Sequence, residues 1–253
     1  MGNERRWYLY GGLLYAVVLE VLLAGAILYW PNLGKSLGAL RVLAPMEMLR
    51  DMIDVMEQSG IAAYVHLQHF FKGCHALGGL VAVLFAAFAV AGEAWRGTLE
   101  ILLARPLSRR KILLERWSFG ALALVLPVFA TTATIPALLA RVGESMAIGP
   151  LMLGALHESL FLLAIYSATF LASCLSDTPL AILFVALVVA VFEFSIYMIK
   201  VLTHWSVFRL ADVWVFDRIT KTGGLQASLW IPMLAFSAVC LVLSLAAFER
   251  RVP

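Results

Sequence analysis

An all-α, polytopic integral membrane bundle of six transmembrane helices with amphipathic outer segments is the expectation from three features of the sequence. The 253 residues are 62% hydrophobic and only 14% charged, against about 25% charged in ordinary globular domains. Mean hydropathy is +0.92. The apolar residues fall in unbroken runs near the roughly 20 residues that a helix needs to cross the hydrocarbon layer. These runs are too long and too unalternating for barrel strands, so backbone amides in lipid must be satisfied within helices. One transmembrane domain accounts for the length. The net charge of +3 is too small to imply a nucleic-acid partner.

Residues 8–30 form the first expected span. The run exceeds the 7–15 residues of a signal-peptide core, so an uncleaved helix is predicted. "NLGKS" at 32–36 ends like a phosphate loop, but Tyr29 occupies the place of its first glycine and no strand precedes it. Residues 36–58 carry Leu43, Met46, Leu49, Ile53 and Met56 at three- and four-residue steps. That spacing predicts an amphipathic outer helix opened or kinked by Pro45. The second span is expected at 73–92, with "HLQHFFKGCH" at its outer mouth.

After a charged loop at 93–116, spans are expected at 117–140, 150–174, 179–199 and 229–248. "SDTPL" at 176–180 is a short turn in which Asp177 or Thr178 caps the next helix and Pro179 occupies its first turn. Residues 202–221 mix Trp205, Phe208, Val213, Trp214 and Phe216 with Arg209, Asp212 and Asp217, a second amphipathic outer segment. Pro127, Pro136 and Pro232 read as kinks inside spans. Cys74, Cys174 and Cys240 are scattered in apolar runs and form no disulfide framework. Trp and Tyr near the span ends read as interface anchors, in contact with membrane lipid.

An even number of spans puts both termini on one side. If that side is the cytoplasm, it collects ten of the nineteen Lys and Arg on about half the loop length of the other side, as the positive-inside rule requires. A multi-pass protein of a cell inner (plasma) membrane with both termini cytoplasmic is expected.

The charged loop has an ordered pattern. In "EAWRGTLEILLARPLSRRKILLERW", residues 93–117, a helix is expected over Glu93–Leu103, with Leu99, Leu102 and Leu103 on one side and Arg96 and Glu100 on another. Pro106 ends it, and Ser108 is the predicted N-cap of the helix that enters the third span. Glu93, Gly97, Thr98, Leu99, Glu100, Leu102, Leu103, Pro106, Ser108 and Arg109 spell E-x-x-x-GTLE-x-LL-x-x-P-x-SR. This pattern resembles the cytoplasmic loop between spans two and three of type-2 ABC transporter permeases. Only "MGNERR" precedes the first apolar run, shorter than the amphipathic leading stretch of many members.

The resemblance implies a permease subunit of an ABC exporter. Its translocation pathway would be shared with a second permease chain, identical in the simplest case. The loop implies a coupling element for an ABC ATPase subunit, present in two copies, with Arg105, Arg109 and Arg110 meeting its rim and Gly97 permitting close approach. The chain would then carry no ATPase site and no cofactor of its own; ATP and Mg would be bound by the partner.

Polar residues inside the spans suggest a pathway lining. Glu20, His157, Glu158 and Glu193 are expensive in hydrocarbon unless they face a cavity or a partner. A second function class, a proton-coupled secondary transporter, would use Glu20, Glu158 and Glu193. A third, a membrane-embedded metalloprotein, would use His66, His69, Cys74 and His75. No metal is expected, because these four match no established ligand spacing.

Overall fold

The structure, a computed structural model, describes residues 2–104 and 108–251, with backbone only at 2–4 and at 102. No strand occurs among the described residues, and six helices are long and apolar enough to cross a membrane. The first, α1 (Gly2–Leu33), is a single helix of 32 residues, about 48 Å long at 1.5 Å per residue. A 3-10 turn at Gly34–Ser36 leads to α2 (Leu37–Leu43). The chain breaks at Ala44–Pro45 and resumes as α3 (Glu47–Ser59). The amphipathic run predicted at 36–58 is therefore two helices. Met48, Met52, Ile53 and Met56 form the buried face of α3, while Leu43 and Met46, on either side of the break, stay exposed.

The second crossing helix runs over Ile61–Ala87, beginning well before residue 73. It is composite: α4 (Ile61–Val65), π-helical turns over His66–Leu77, and α5 (Gly78–Ala87). The three histidines made 66–75 read as an outer mouth. They are instead 1–2% exposed, because neighbouring helices rather than lipid surround them.

The helix stops at Ala87, short of the expected 92, and turns into α6 (Ala91–Trp95). Such a break leaves orphan backbone groups that lipid cannot satisfy. Ser173 satisfies them from another helix: its Oγ accepts from the amides of Val90 (3.1 Å) and Ala91 (2.9 Å) and donates to the Ala87 carbonyl (2.9 Å).

Next come α7 (Leu99–Leu103) and α8 (Arg109–Ala140), the latter containing Pro127 and Pro136. The central helix, α9 (Ile148–Leu175), packs against α5, α8 and α12. Pro179 opens α10 (Pro179–Met198) at its first turn as expected, while Asp177 is drawn to Arg251 and the Thr178 side chain makes no cap. α10 is the outlying span: Phe184, Val185, Leu187, Val188 and Phe192 are all more than half exposed.

Two short 3-10 turns (Thr203–Trp205 and Val207–Ala211) and α11 (Val213–Thr222) form the segment before the last span, α12 (Ala227–Arg250), which contains Pro232. Asp212 caps α11 through its Oδ1, which accepts from the Val215 amide at 3.0 Å. Arg5 pairs with Glu115 and Arg110 with Glu249, so both termini and the start of α8 share one end of the bundle. The core is continuous from that end to the other, with Tyr166, Phe170, Phe70 and Phe216 among its fully buried side chains.

Candidate functional site: a wired loop at the terminal end

The stretch expected as one helix from Glu93 to Leu103 is two, α6 and α7, separated by Arg96–Gly97–Thr98. Gly97 has φ +69°, a left-handed conformation natural to glycine, and open space surrounds the position of an added Cβ. The glycine therefore serves the reversal of the backbone rather than a close approach.

Glu93 organises that reversal. Its carbonyl accepts the Thr98 amide at 2.9 Å, and its carboxylate accepts the Thr98 hydroxyl. Arg96 pairs with the carboxylate at 2.7 Å and Arg116 of α8 at 3.5 Å. Arg96 thus bonds back to Glu93, not forward to Glu100. Arg116 also donates to the Ala89 carbonyl and is 6% exposed, against 8% for Glu93. One carboxylate therefore joins the end of the second span, the turn and the third span.

Leu99 is 8% exposed and Leu103 packs against the core, so these two leucines seat α7 on its own bundle. The residues presented outward are Glu100 and Ile101, the latter 65% exposed. Arg105 and Pro106 lie outside the described residues, as does the side chain of Leu102. Ser108 is the N-cap that the sequence predicted, its Oγ accepting the Lys111 amide at 3.3 Å.

Arg109 donates to the carbonyls of Glu249 (2.9 Å) and Arg251 (2.6 Å), and Arg110 pairs with the Glu249 carboxylate. Arg251 in turn donates to the carbonyls of Cys174 (2.8 Å) and Ser176 (3.0 Å) and pairs with Asp177. These guanidinium groups cap the carbonyl-rich ends of α12 and α9, where a cation also complements the helix dipole. Arg116, Ser173, Glu249 and Arg251 were not singled out from sequence. Arginine just beyond a final span reads as topology alone, and partners 23 residues away for Arg116 and more than 70 away for the other three leave no local signal. Behind α7 lies a groove of about 540 Å³, lined by Gly97, Leu99, Glu100, Leu175, Asp177 and Arg250 among others.

The polar residues within the spans have separate surroundings. Glu20 accepts a hydrogen bond from Thr134 at 3.0 Å. Glu193 accepts the Val207 amide at 2.9 Å, and its carbonyl accepts from Ser206. His157 Nε2 lies 2.7 Å from the Leu210 carbonyl. Glu158 faces His75, with Oε1 3.8 Å from Nδ1. Among the described residues no hydrogen bond joins any two of the three glutamates.

The four metal-ligand candidates also diverge. His66 Nε2 meets Thr220 at 3.0 Å, His69 Nε2 meets Thr132 at 2.9 Å with Cys74 Sγ at 3.7 Å, and His75 stacks on Phe161 with centroids 4.1 Å apart. Among the described residues no group of three or more His, Cys, Asp or Glu could hold a metal ion.

Outside the spans, burial pushes the Asp212 carboxyl up to about 6. The hydrogen bond from Arg41 holds the exposed Asp54 carboxyl below its ordinary value.

No curated protein matches the chain. Residues 4–251, nearly the whole sequence, match the family described as ABC-2 family transporter protein. Six apolar helices, a wired loop between the second and third, and this match lead to one conclusion: the chain belongs to the ABC-2 family and is a multi-pass permease component of an ABC transporter.

Proposed function

We propose that the protein is the permease subunit of an exporter in a cell inner membrane, with both termini and the 93–110 element facing the cytoplasm. Two such chains, identical in the simplest arrangement, form the pathway, and two copies of an ABC ATPase subunit bind ATP and Mg and drive it. The observation that carries this reading is the mounting of α7. A five-residue helix offering Glu100 and Ile101 outward is tied at its near end by Glu93 to Arg116 of α8, which also holds the Ala89 carbonyl just beyond α5. The start of α8, just beyond it, is tied through Arg109, Glu249 and Arg251 to α12 and α9.

A displacement of α7 by a partner's nucleotide cycle would therefore reach four spans with little slack. An apolar side chain flanked by charge suits docking into a groove with a polar rim. The test is co-purification of the ATPase subunit with Ile101→Asp, Leu103→Ala and Arg109→Ala variants, together with stimulated ATP hydrolysis. Ile101→Asp is expected to abolish association. Arg109→Ala is expected to retain association and lose stimulation. Unchanged association and turnover in all three would sink the reading.

A further inference from the structure

Glu158 is fully buried in α9, and neither of its carboxyl oxygens has a hydrogen-bond partner. The Nδ1 atom of buried His75, 3.8 Å from Oε1, has none either. From α1 the Tyr15 hydroxyl, 3% exposed, is likewise without a partner and lies within electrostatic reach of Glu158. A side chain at Gly78 would overlap that hydroxyl, so this glycine lets α5 and Tyr15 share the space. Three spans thus turn unsatisfied polar atoms toward one region inside the membrane. A buried carboxyl without hydrogen bonds is costly, and an ionised one far more so. Such an arrangement is stabilised when a compensating group visits it.

The surroundings specify that group. Phe161 stacks on His75 at 4.1 Å and 23°, and the Phe208 ring lies 4.7 Å from the same imidazole. A carboxylate, a hydroxyl acceptor and aromatic faces suit a cation that carries N–H donors, through charge-assisted hydrogen bonds and cation–π contact. An anion would be repelled, and a neutral sugar would leave the carboxylate uncompensated.

We propose that Glu158, assisted by Tyr15 and positioned by His75, is an intramembrane recognition site for the protonated amine of the cargo. The site is occluded: Phe208 covers His75, and the Leu210 carbonyl is held by His157. The segment at 203–222 therefore closes it from the end opposite the termini, and release in that direction requires the segment to lift. This assignment rests on the permease reading.

Binding of dansylcadaverine, a fluorescent primary ammonium, to the purified chain in lipid nanodiscs tests the site, with N-acetyl-dansylcadaverine as the uncharged control. Wild type is expected to bind the amine saturably and in preference to the acetylated probe. Glu158→Gln should weaken amine binding by about tenfold or more, the scale of one charge-assisted contact. Tyr15→Phe keeps the ring volume and should weaken binding about threefold. Glu57→Gln, which changes an exposed carboxyl on α3, should bind as wild type does. His75→Gln should weaken binding yet retain the preference for amine over acetylated probe.

Equal binding of both probes by wild type would overturn the proposal. So would wild-type affinity in Glu158→Gln. The assay contains no ATPase subunit, so a negative result leaves the docking experiments on residues 93–110 to stand or fall independently.

Discussion

The terminal end of the bundle and the 203–222 segment at the opposite end are fastened by different chemistry. At the terminal end, Arg109, Arg110, Arg116 and Arg251 reach across four spans to carbonyls and carboxylates. At the opposite end, the 203–222 segment rests on aromatic rings and imidazoles: Phe216 on Phe70 at 4.6 Å and 14°, Phe208 on His75, Thr220 against His66 and Leu210 against His157. Charge-assisted bonds are stronger and more directional than neutral ones, and long arginine side chains can serve them near the membrane boundary. Neutral contacts separate without exposing a charge to hydrocarbon. On the permease reading proposed above, the end that would transmit force is braced, and the end that would open is merely covered.

Breaking the braced end should have the largest effect. Arg116→Met removes two charge-assisted contacts, to the Glu93 carboxylate and to the Ala89 carbonyl, while Arg96 and Thr98 still serve the carboxylate; a loss of about 3–4 kcal/mol is expected from thermal unfolding in detergent. At the covered end, Phe216→Ala removes a ring that is 1% exposed. A loss of about 3 kcal/mol is expected, with faster amide exchange confined to α11.

Asp212 gives the covered end a pH dependence. Its folded carboxyl titrates at about 6, above its ordinary 3.8. The folded state therefore holds the proton between those values while the unfolded chain does not. Stability rises as pH falls from about 6 toward 4 and is flat above 6, by roughly 2–3 kcal/mol in total. Asp212→Asn keeps a capping side chain and should flatten the melting temperature across that window.

Ser173→Ala tests the repaired helix break at the braced end. With two amides and a carbonyl left unserved, about 1–2 kcal/mol should be lost. Smallest of all is Arg41→Ala, which removes an exposed pair with Asp54 and should leave the melting temperature unchanged.

Much of the architecture was legible because lipid permits so few solutions. Hydropathy and length identified all six spans, and the Ser108 cap and Pro179 helix start followed from local backbone chemistry. The start of the second span was not legible. His66, His69 and His75 look interfacial on a hydropathy scale, and only the neighbours Thr220, Thr132 and Phe161 reveal them as interior. Gly97 was noticed, but its positive φ depends on the Glu93–Thr98 turn. The periodicity of Leu99 and Leu103 gave an apolar side without saying that it faces inward. Within the site, the loop motif was readable and its wiring was not. Arg251 bonds residues 74 to 77 positions away in sequence, a relation no spacing rule contains.

The π-helical stretch over His66–Leu77 has a mechanical corollary. Twelve residues wound with i→i+5 bonds are fatter and shorter than the same residues in ordinary α-helix, so the second span stores surplus chain within the membrane. Rewinding even one of its turns would lengthen the rod and swivel its imidazoles about the axis, without unfolding anything. A screw of this kind would convert a small push at one membrane face into a turn at the other.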